Sequence, residues 1–564
     1  MTCNEKALSE DYGEIIIDFS LPIEIADPDI TQCIQNVSDR FRIAYVPLSY
    51  IEEVTSTLYR YDFMPKVYGL MQQAFDPVSL QNSGIIKTQR PPLSLNGRGV
   101  VVAFIDTGIR YTEPVFLNEA GNTRVLAIWD QTIQTGSPPA GYQYGTLYNR
   151  DDINKALRAE DPYAQIPSTD EDGHGTAMAS VAAGSILDGG LEFWGAAPEA
   201  DIVVVKLRQT KQYLRDYYLI PQGVPAYAET DIMLGVKFAE SFARTMQRPV
   251  VICIGLGSNM GNHVTGSNLA RYLNDVSYIR NRSVVICGGN EGNAAHHFSG
   301  SVPRGADAYK DVEIRVGEGE RGFLVEMWGS IPNIFYVSVR TPGGEAIPKF
   351  RLSLGRSQTY TFVYEKTVLT IDSILVEPAT GEELITFRFQ APTAGVWTIR
   401  VSQEPEGGNG EFSMWLPITQ FLDSDTYFLN SNPYTTLTDP GIAERAITVS
   451  TYNDFNNSFY ANSGRGFLRN GLIKPDIAAP GVDISTILGK RTGSSLAAAI
   501  TAGGVAQFLQ WAVVDQNNPL VDNLEVKSYF IRGATRNRDL EYPNREWGYG
   551  RLNVAGAFDV MANV

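Results

Sequence analysis

Histidine and cysteine are scarce in this chain, with four of each among 564 residues. Cys3, Cys33, Cys253 and Cys287 do not fall at metal-site spacing. Cys253 and Cys287 lie inside apolar, strand-like runs, where a buried free thiol is the expected state. This usage fits synthesis in the cytosol. No run of 18 or more apolar residues occurs, so no membrane span is expected. The first residues, Met1 to Lys6, lack a basic stretch leading into an apolar segment, so no secretory signal is expected. Positive charge is also short: 46 Lys and Arg stand against 63 Asp and Glu, for a net charge of −17. That balance excludes a polybasic grip on nucleic acid or anionic lipid as the main activity. There is no internal repeat and no long low-complexity segment.

What remains is globular in composition, with 43% hydrophobic and 19% charged residues. At roughly 100–200 residues per domain, the length calls for one large domain and one or two smaller ones. Residues 1–75 mix strand-like runs (14–19 and 41–48) with a polar helical stretch (49–58), and are too few to share the main core comfortably. From 76 to 301 strand and helix alternate. Gly99–Ile105 reads as a continuous apolar run, as do 202–205, 250–254 and 284–287, with a helical stretch over Asp231–Met246. Such runs belong to parallel strands buried on both faces, and predict a doubly wound α/β domain. Over 302–425 the helical period disappears. Short alternating runs at 312–316, 335–341, 359–364, 384–389 and 396–401, set off by turns such as Pro342-Gly343-Gly344 and Pro405-Glu406-Gly407-Gly408, predict an antiparallel sandwich or jelly roll. The α/β pattern returns over 426–564, so the β module is inserted rather than appended.

Three segments carry chemistry. Asp106 in Phe104-Ile105-Asp106-Thr107-Gly108 ends a buried strand, where α/β active sites collect; an ordinary Asp-Gly turn is the alternative. His174 sits between Gly173 and Gly175 at the head of a small-residue helix running to Gly184. His263, His296 and His297 lie in polar loops and are not expected to be catalytic. Ser495, in Thr492-Gly493-Ser494-Ser495-Leu496-Ala497, opens another small-residue helix and can expose its hydroxyl beside a backbone N–H; a helix cap is the alternative. Serine hydrolysis needs a nucleophile, a base and a carboxylate that orients the base. These three segments supply them in the chain order Asp, His, Ser.

On these motifs the sequence resembles the subtilisin-like serine proteases, over roughly 79–297 and 430–554. Asp106-Thr107-Gly108, His174-Gly175-Thr176 and Gly493-Ser494-Ser495-Leu496-Ala497 stand at the family's three motifs. The alignment makes Ser495 the nucleophile and sets Ser494 at the family's Thr; Ala498-Ala499-Ile500 replaces the family's Thr-Pro-His. Asn290, in Cys287-Gly288-Gly289-Asn290-Glu291-Gly292, resembles the oxyanion donor. Leu256-Gly257-Ser258 resembles the strand edge that receives extended substrate. Lys474–Val482 and Gly548–Val554 also resemble family segments. No metal or other cofactor is implied for the reaction; a structural calcium ion is frequent in the family, but no dense carboxylate loop demands one.

The 205-residue interval between Asn290 and Ser495, and an N-terminal zone of propeptide size, narrow the resemblance to the clostridial Csp-type spore germination proteases. The resemblance implies a subtilisin-like α/β fold with an inserted all-β jelly roll and a small α+β prodomain. It implies a prodomain cut autocatalytically near Tyr68–Val78 that can stay bound, a spore-associated protein, and a cortex-lytic zymogen as the protein substrate. Two other readings stay open. One is a pseudoprotease acting as germinant sensor or scaffold; the other is a broad-specificity subtilisin with an accessory β domain.

Overall fold

A computed structural model describes residues 1–19, 33–54, 63–71, 73–74, 80, 82–187, 193–305, 307–351, 357–404 and 407–562. Its centre is a nine-stranded sheet. Val101–Asp106 lies in the middle, flanked by Val250–Ile254 on one side and Asp201–Lys206 on the other. Arg282–Cys287 and Ile447–Asn453 extend the first side, and Val125–Asp130 the second, all in parallel. Every residue of Val101–Asp106, Val250–Ile254 and Arg282–Cys287 is buried. That two-faced burial is why these segments read as continuous apolar runs without alternation. Asp106 is the last residue of the central strand.

Two small-residue helices pack against this sheet and against each other, His174–Ala183 and Ser494–Leu509. Alanine and glycine on both allow a close approach. Including the turn that follows it, Ser494–Val514 is long and apolar enough to cross a membrane by length and composition alone. All residues of its α-helical part are buried inside the fold.

The middle of the chain forms two antiparallel sheets of six and four strands. Their strands begin at His297–Ser301 and end at Tyr427–Phe428, and their facing sides share one apolar core containing Phe323, Phe387, Trp397 and Met414.

The N-terminal region differs from expectation in two ways. Tyr12–Asp18 and Phe41–Pro47 pair antiparallel, and the helix that follows is described over Leu48–Val54; the rest of the expected helical stretch lies outside the described residues. Instead of standing apart from the main core, Ile15, Ile17, Ala44 and Val46 belong to the same buried cluster as Phe104 and Leu214. Both faces of this small sheet are covered, so few residues suffice. The second difference is a disulfide between Cys3 and Cys33, whose Cα atoms are 5.3 Å apart. Cys253 and Cys287 are buried free thiols.

Candidate active site

The strand Val101–Asp106 delivers Asp106 to the edge of the sheet, and the helix beginning at His174 brings the imidazole over it. His174 Nδ1 lies 2.7 Å from Asp106 Oδ1, and His174 Nε2 lies 3.0 Å from Ser495 Oγ. All three side chains are buried. The pairing falls on Ser495, not on its neighbour Ser494. Asp106 Oδ1 also accepts from the Thr107 N–H at 2.7 Å, which fixes the carboxylate against the turn. That turn needs glycine nearby: a Cβ on Gly175 would stand 2.3 Å from the Gly108 carbonyl oxygen.

Burial disfavours the charged form of His174, but the charge and hydrogen bond of Asp106, with Asp172 and Asp170, outweigh it and raise the pKa above the ordinary value. A base held in this way is matched to accepting a proton from a hydroxyl.

The first N–H groups of any helix have no acceptor within it. At the helix Ser494–Leu509 they are used as follows. Ser494 N–H donates to Asn290 Oδ1 at 3.1 Å, which orients the side-chain amide and leaves its NH2 end as the remaining donor. Ser495 N–H donates to the carbonyl oxygen of Met71 at 3.3 Å.

Met71 belongs to the N-terminal region, and the chain on either side of it is paired as a strand beside the Ser495 centre. Val67–Leu70 pairs antiparallel with Leu256–Gly257 on one side, with Leu70 opposite Leu256 and Gly69 opposite Gly257. On its other side Tyr68 faces Tyr227 and Val67 faces Ala228. Ser258 exchanges two backbone hydrogen bonds with Asp439, both 2.9 Å. Beyond Met71, Gln73 and Ala74 pair antiparallel with Thr492 and Arg491, just ahead of Ser495. Of the expected junction, residues 68–71, 73 and 74 are described; the others lie outside the described residues.

One residue at this site escaped the sequence reading. Asp170, buried, accepts from Thr107 Oγ1, Gly173 N, Thr176 N and Thr176 Oγ1 at 2.6–2.8 Å. It ties the Asp106 turn to the head of the His174 helix, and its carboxylate suits the positive end of that helix. The available signal was an aspartate four residues ahead of His174, in a stretch crowded with other acids.

Of the other three histidines, His263 and His296 lie in loops as expected while His297 opens a strand, and all three are buried. His263 and His297 are buried and both stack on Trp415, with ring centroids 4.1 and 4.5 Å away. Burial pushes their pKa values down to about 4 and about 3. His296 bonds Glu291 Oε2 through Nδ1 at 2.8 Å. None touches the Ser495 centre. Among the described residues, no three His, Cys, Asp or Glu side chains gather in a set that could hold a metal ion.

A parallel sheet with a carboxylate, an imidazole and a serine in line at its edge defines the class of serine peptidases. The particular family follows from comparison. The subtilase family profile matches residues 97–314 and 407–550, more than half of the chain, which therefore belongs to that family as a subtilisin-like serine peptidase of the Csp type. The chain is 30% identical to the CspB protease of Clostridium perfringens, covering 86% of its own length and 99% of that protein's, with a TM-score of 0.75. More distant matches include MycP1 of Mycobacterium smegmatis (14% identity, 88% and 89% coverage, TM-score 0.38). Another is fervidolysin of Fervidobacterium pennivorans, a keratinolytic enzyme (11%, 97% and 61%, 0.43). No curated protein sequence matches the chain.

Proposed function

We propose that the chain is an endopeptidase that cuts its own N-terminal prodomain at the Met71–Gln72 bond. The observation that carries this is the Met71 carbonyl oxygen accepting from the Ser495 N–H at 3.3 Å, with the chain paired as a strand on both sides of it. An extended peptide added to a sheet edge is the ordinary way such a cleft takes substrate.

Ser495 Oγ attacks the Met71 carbonyl carbon while His174 Nε2 takes its proton. Asp106 keeps the imidazole in the tautomer with Nδ1 protonated and stabilises the imidazolium. The Ser495 N–H and the Asn290 NH2 group hold the oxyanion. The tetrahedral intermediate collapses, His174 gives its proton to the leaving amine of Gln72, and water then releases Met71 as a carboxylate by the same steps.

The Csp-type resemblance extends the proposal. The processed enzyme is spore-associated and activates a cortex-lytic zymogen on germination, and its β insert is the jelly roll of that subfamily. N-terminal sequencing of the purified protein tests the core of it. The native chain yields a new terminus at Gln72, and Ser495→Ala yields one intact chain. A native chain that also stays intact sinks the proposal.

A further inference from the structure

The segment lying in the cleft is recognised by its side chains as well as by its backbone. Counting back from Met71, Tyr68 is the fourth residue before the proposed bond and Gly69 the third.

Tyr68 is fully buried. Its hydroxyl donates to Asp439 Oδ1 at 2.8 Å and lies 2.9 Å from Ser267 Oγ. Ser267 Oγ donates to the same Asp439 oxygen at 2.5 Å, and Ser267 N–H donates to Oδ2 at 2.8 Å. Asp439 is itself buried, and among the described residues no Lys or Arg forms an ion pair with it. A buried carboxylate without a cation must satisfy its oxygens with hydrogen bonds. Here the tyrosine hydroxyl supplies one of them. The pocket is tied to the cleft edge, since Asp439 exchanges backbone hydrogen bonds with Ser258.

Gly69 faces the inserted sheets. A Cβ there would stand 2.0 Å from Gln420 Nε2 and 2.7 Å from Ile418 Cδ1. Gln420 Nε2 donates to the Leu70 carbonyl oxygen at 2.9 Å, so moving it aside forfeits that bond. The insert thus forms one wall of the cleft.

We infer that the Asp439–Ser267 pair selects tyrosine, over phenylalanine, as the fourth residue before the cleaved bond, and that Gln420 and Ile418 restrict the third to glycine. This rests on the reading of 67–71 as a bound substrate segment. The substrate class is an extended protein segment carrying Tyr-Gly followed by two apolar residues. A site built to bond a hydroxyl discriminates far more strongly than an apolar pocket does. A substrate lacking the group leaves the buried partner unpaired.

The test uses the self-processed full-length protein and mass-distinguishable peptides competing in one reaction. Their rate ratio equals the ratio of kcat/KM whatever fraction of clefts the prodomain still fills. The native peptide spans Lys66 to Ala74, and its rivals carry Phe in place of Tyr68 or Ala in place of Gly69. The expected preferences are about 10²-fold or more for Tyr over Phe and about 10-fold for Gly over Ala. Asp439→Asn, which keeps the pocket's shape, is expected to narrow the first ratio several-fold, and Gln420→Ala the second. Equal cleavage of the Tyr and Phe peptides overturns the inference, even where processing after Met71 stands. A native chain whose own terminus maps elsewhere overturns the reading of the cleft instead.

Discussion

In the proposed mechanism His174 must be neutral before it can take the proton of Ser495. Its pKa is raised, because the Asp106 interaction, helped by Asp172 and Asp170, outweighs the burial that would lower it. The neutral form is therefore lost as pH falls through a value above the ordinary histidine range. A pH profile of processing is expected to show its acidic limb above about pH 6.5, and Asp172→Asn to move that limb downward, because it removes one of the charges that favour imidazolium. At the oxyanion, Asn290→Ala is expected to slow processing by about 10²–10³-fold with the fold intact, read from the rate at which the Gln72 terminus appears. These residues were legible in the sequence because each is embedded in glycine or small residues that only a tight turn or helix head requires. The choice between Ser494 and Ser495 was a matter of register alone, and the 3.0 Å contact to His174 falls on Ser495. Asp170 was not legible. Nothing in the sequence separates it from Asp172 or Glu171 beside it, and its role appears only when Thr107 and Thr176 converge on it from two elements.

At the scale of elements, the same Asp170 makes a second prediction. It holds four donors from the Asp106 turn and the His174 helix head. Asp170→Ala should cost about 2 kcal/mol or more in stability, as a lost cap with buried donors left unpaired. Thermal melting checks the size, and Asp170→Asn should recover part of it. Buried parallel strands were the easiest elements to read, and Val250–Ile254 matches the apolar run residue for residue. The inserted sheets were harder. Strands with one exposed side, such as Phe335–Arg340, announce themselves by alternation. Gly322–Gly329 is buried along its whole length, and its Glu326 breaks the apolar run. Glu326 Oε2 accepts from the Gly261 N–H at 2.9 Å and from Trp328 Nε1 at 3.1 Å, contacts that no local pattern reveals.

Across the whole molecule, the N-terminal region is held by more than the strand in the cleft. Arg208 reaches Glu14 at 2.8 Å and Asp231 at 2.9 Å, and donates to the Ala7 carbonyl. Lys211 stands 3.3 Å from Glu14. Glu14, Asp231 and Lys211 are buried. Removing one partner of such a cluster leaves uncompensated charge, at about 3–5 kcal/mol. Arg208→Ala is therefore expected to loosen the cut prodomain, measured as its loss from the processed protein on gel filtration; the native pair should stay together. This network joins residues almost 200 positions apart, so the sequence offered a propeptide-sized leader and no sign of how firmly it is seated.

Glu291 gives the insert a mechanical meaning. It follows Asn290 directly, and its carboxylate accepts from Thr419 N at 3.1 Å and Thr419 Oγ1 at 3.1 Å, and meets His296 Nδ1 at 2.8 Å. Thr419 is the neighbour of Gln420, which grips the Leu70 carbonyl. Packed interiors transmit displacement rather than absorb it. In the proposed mechanism, two adjacent residues of the insert therefore couple it both to the neighbour of the oxyanion donor Asn290, through Thr419, and to the peptide in the cleft, through Gln420.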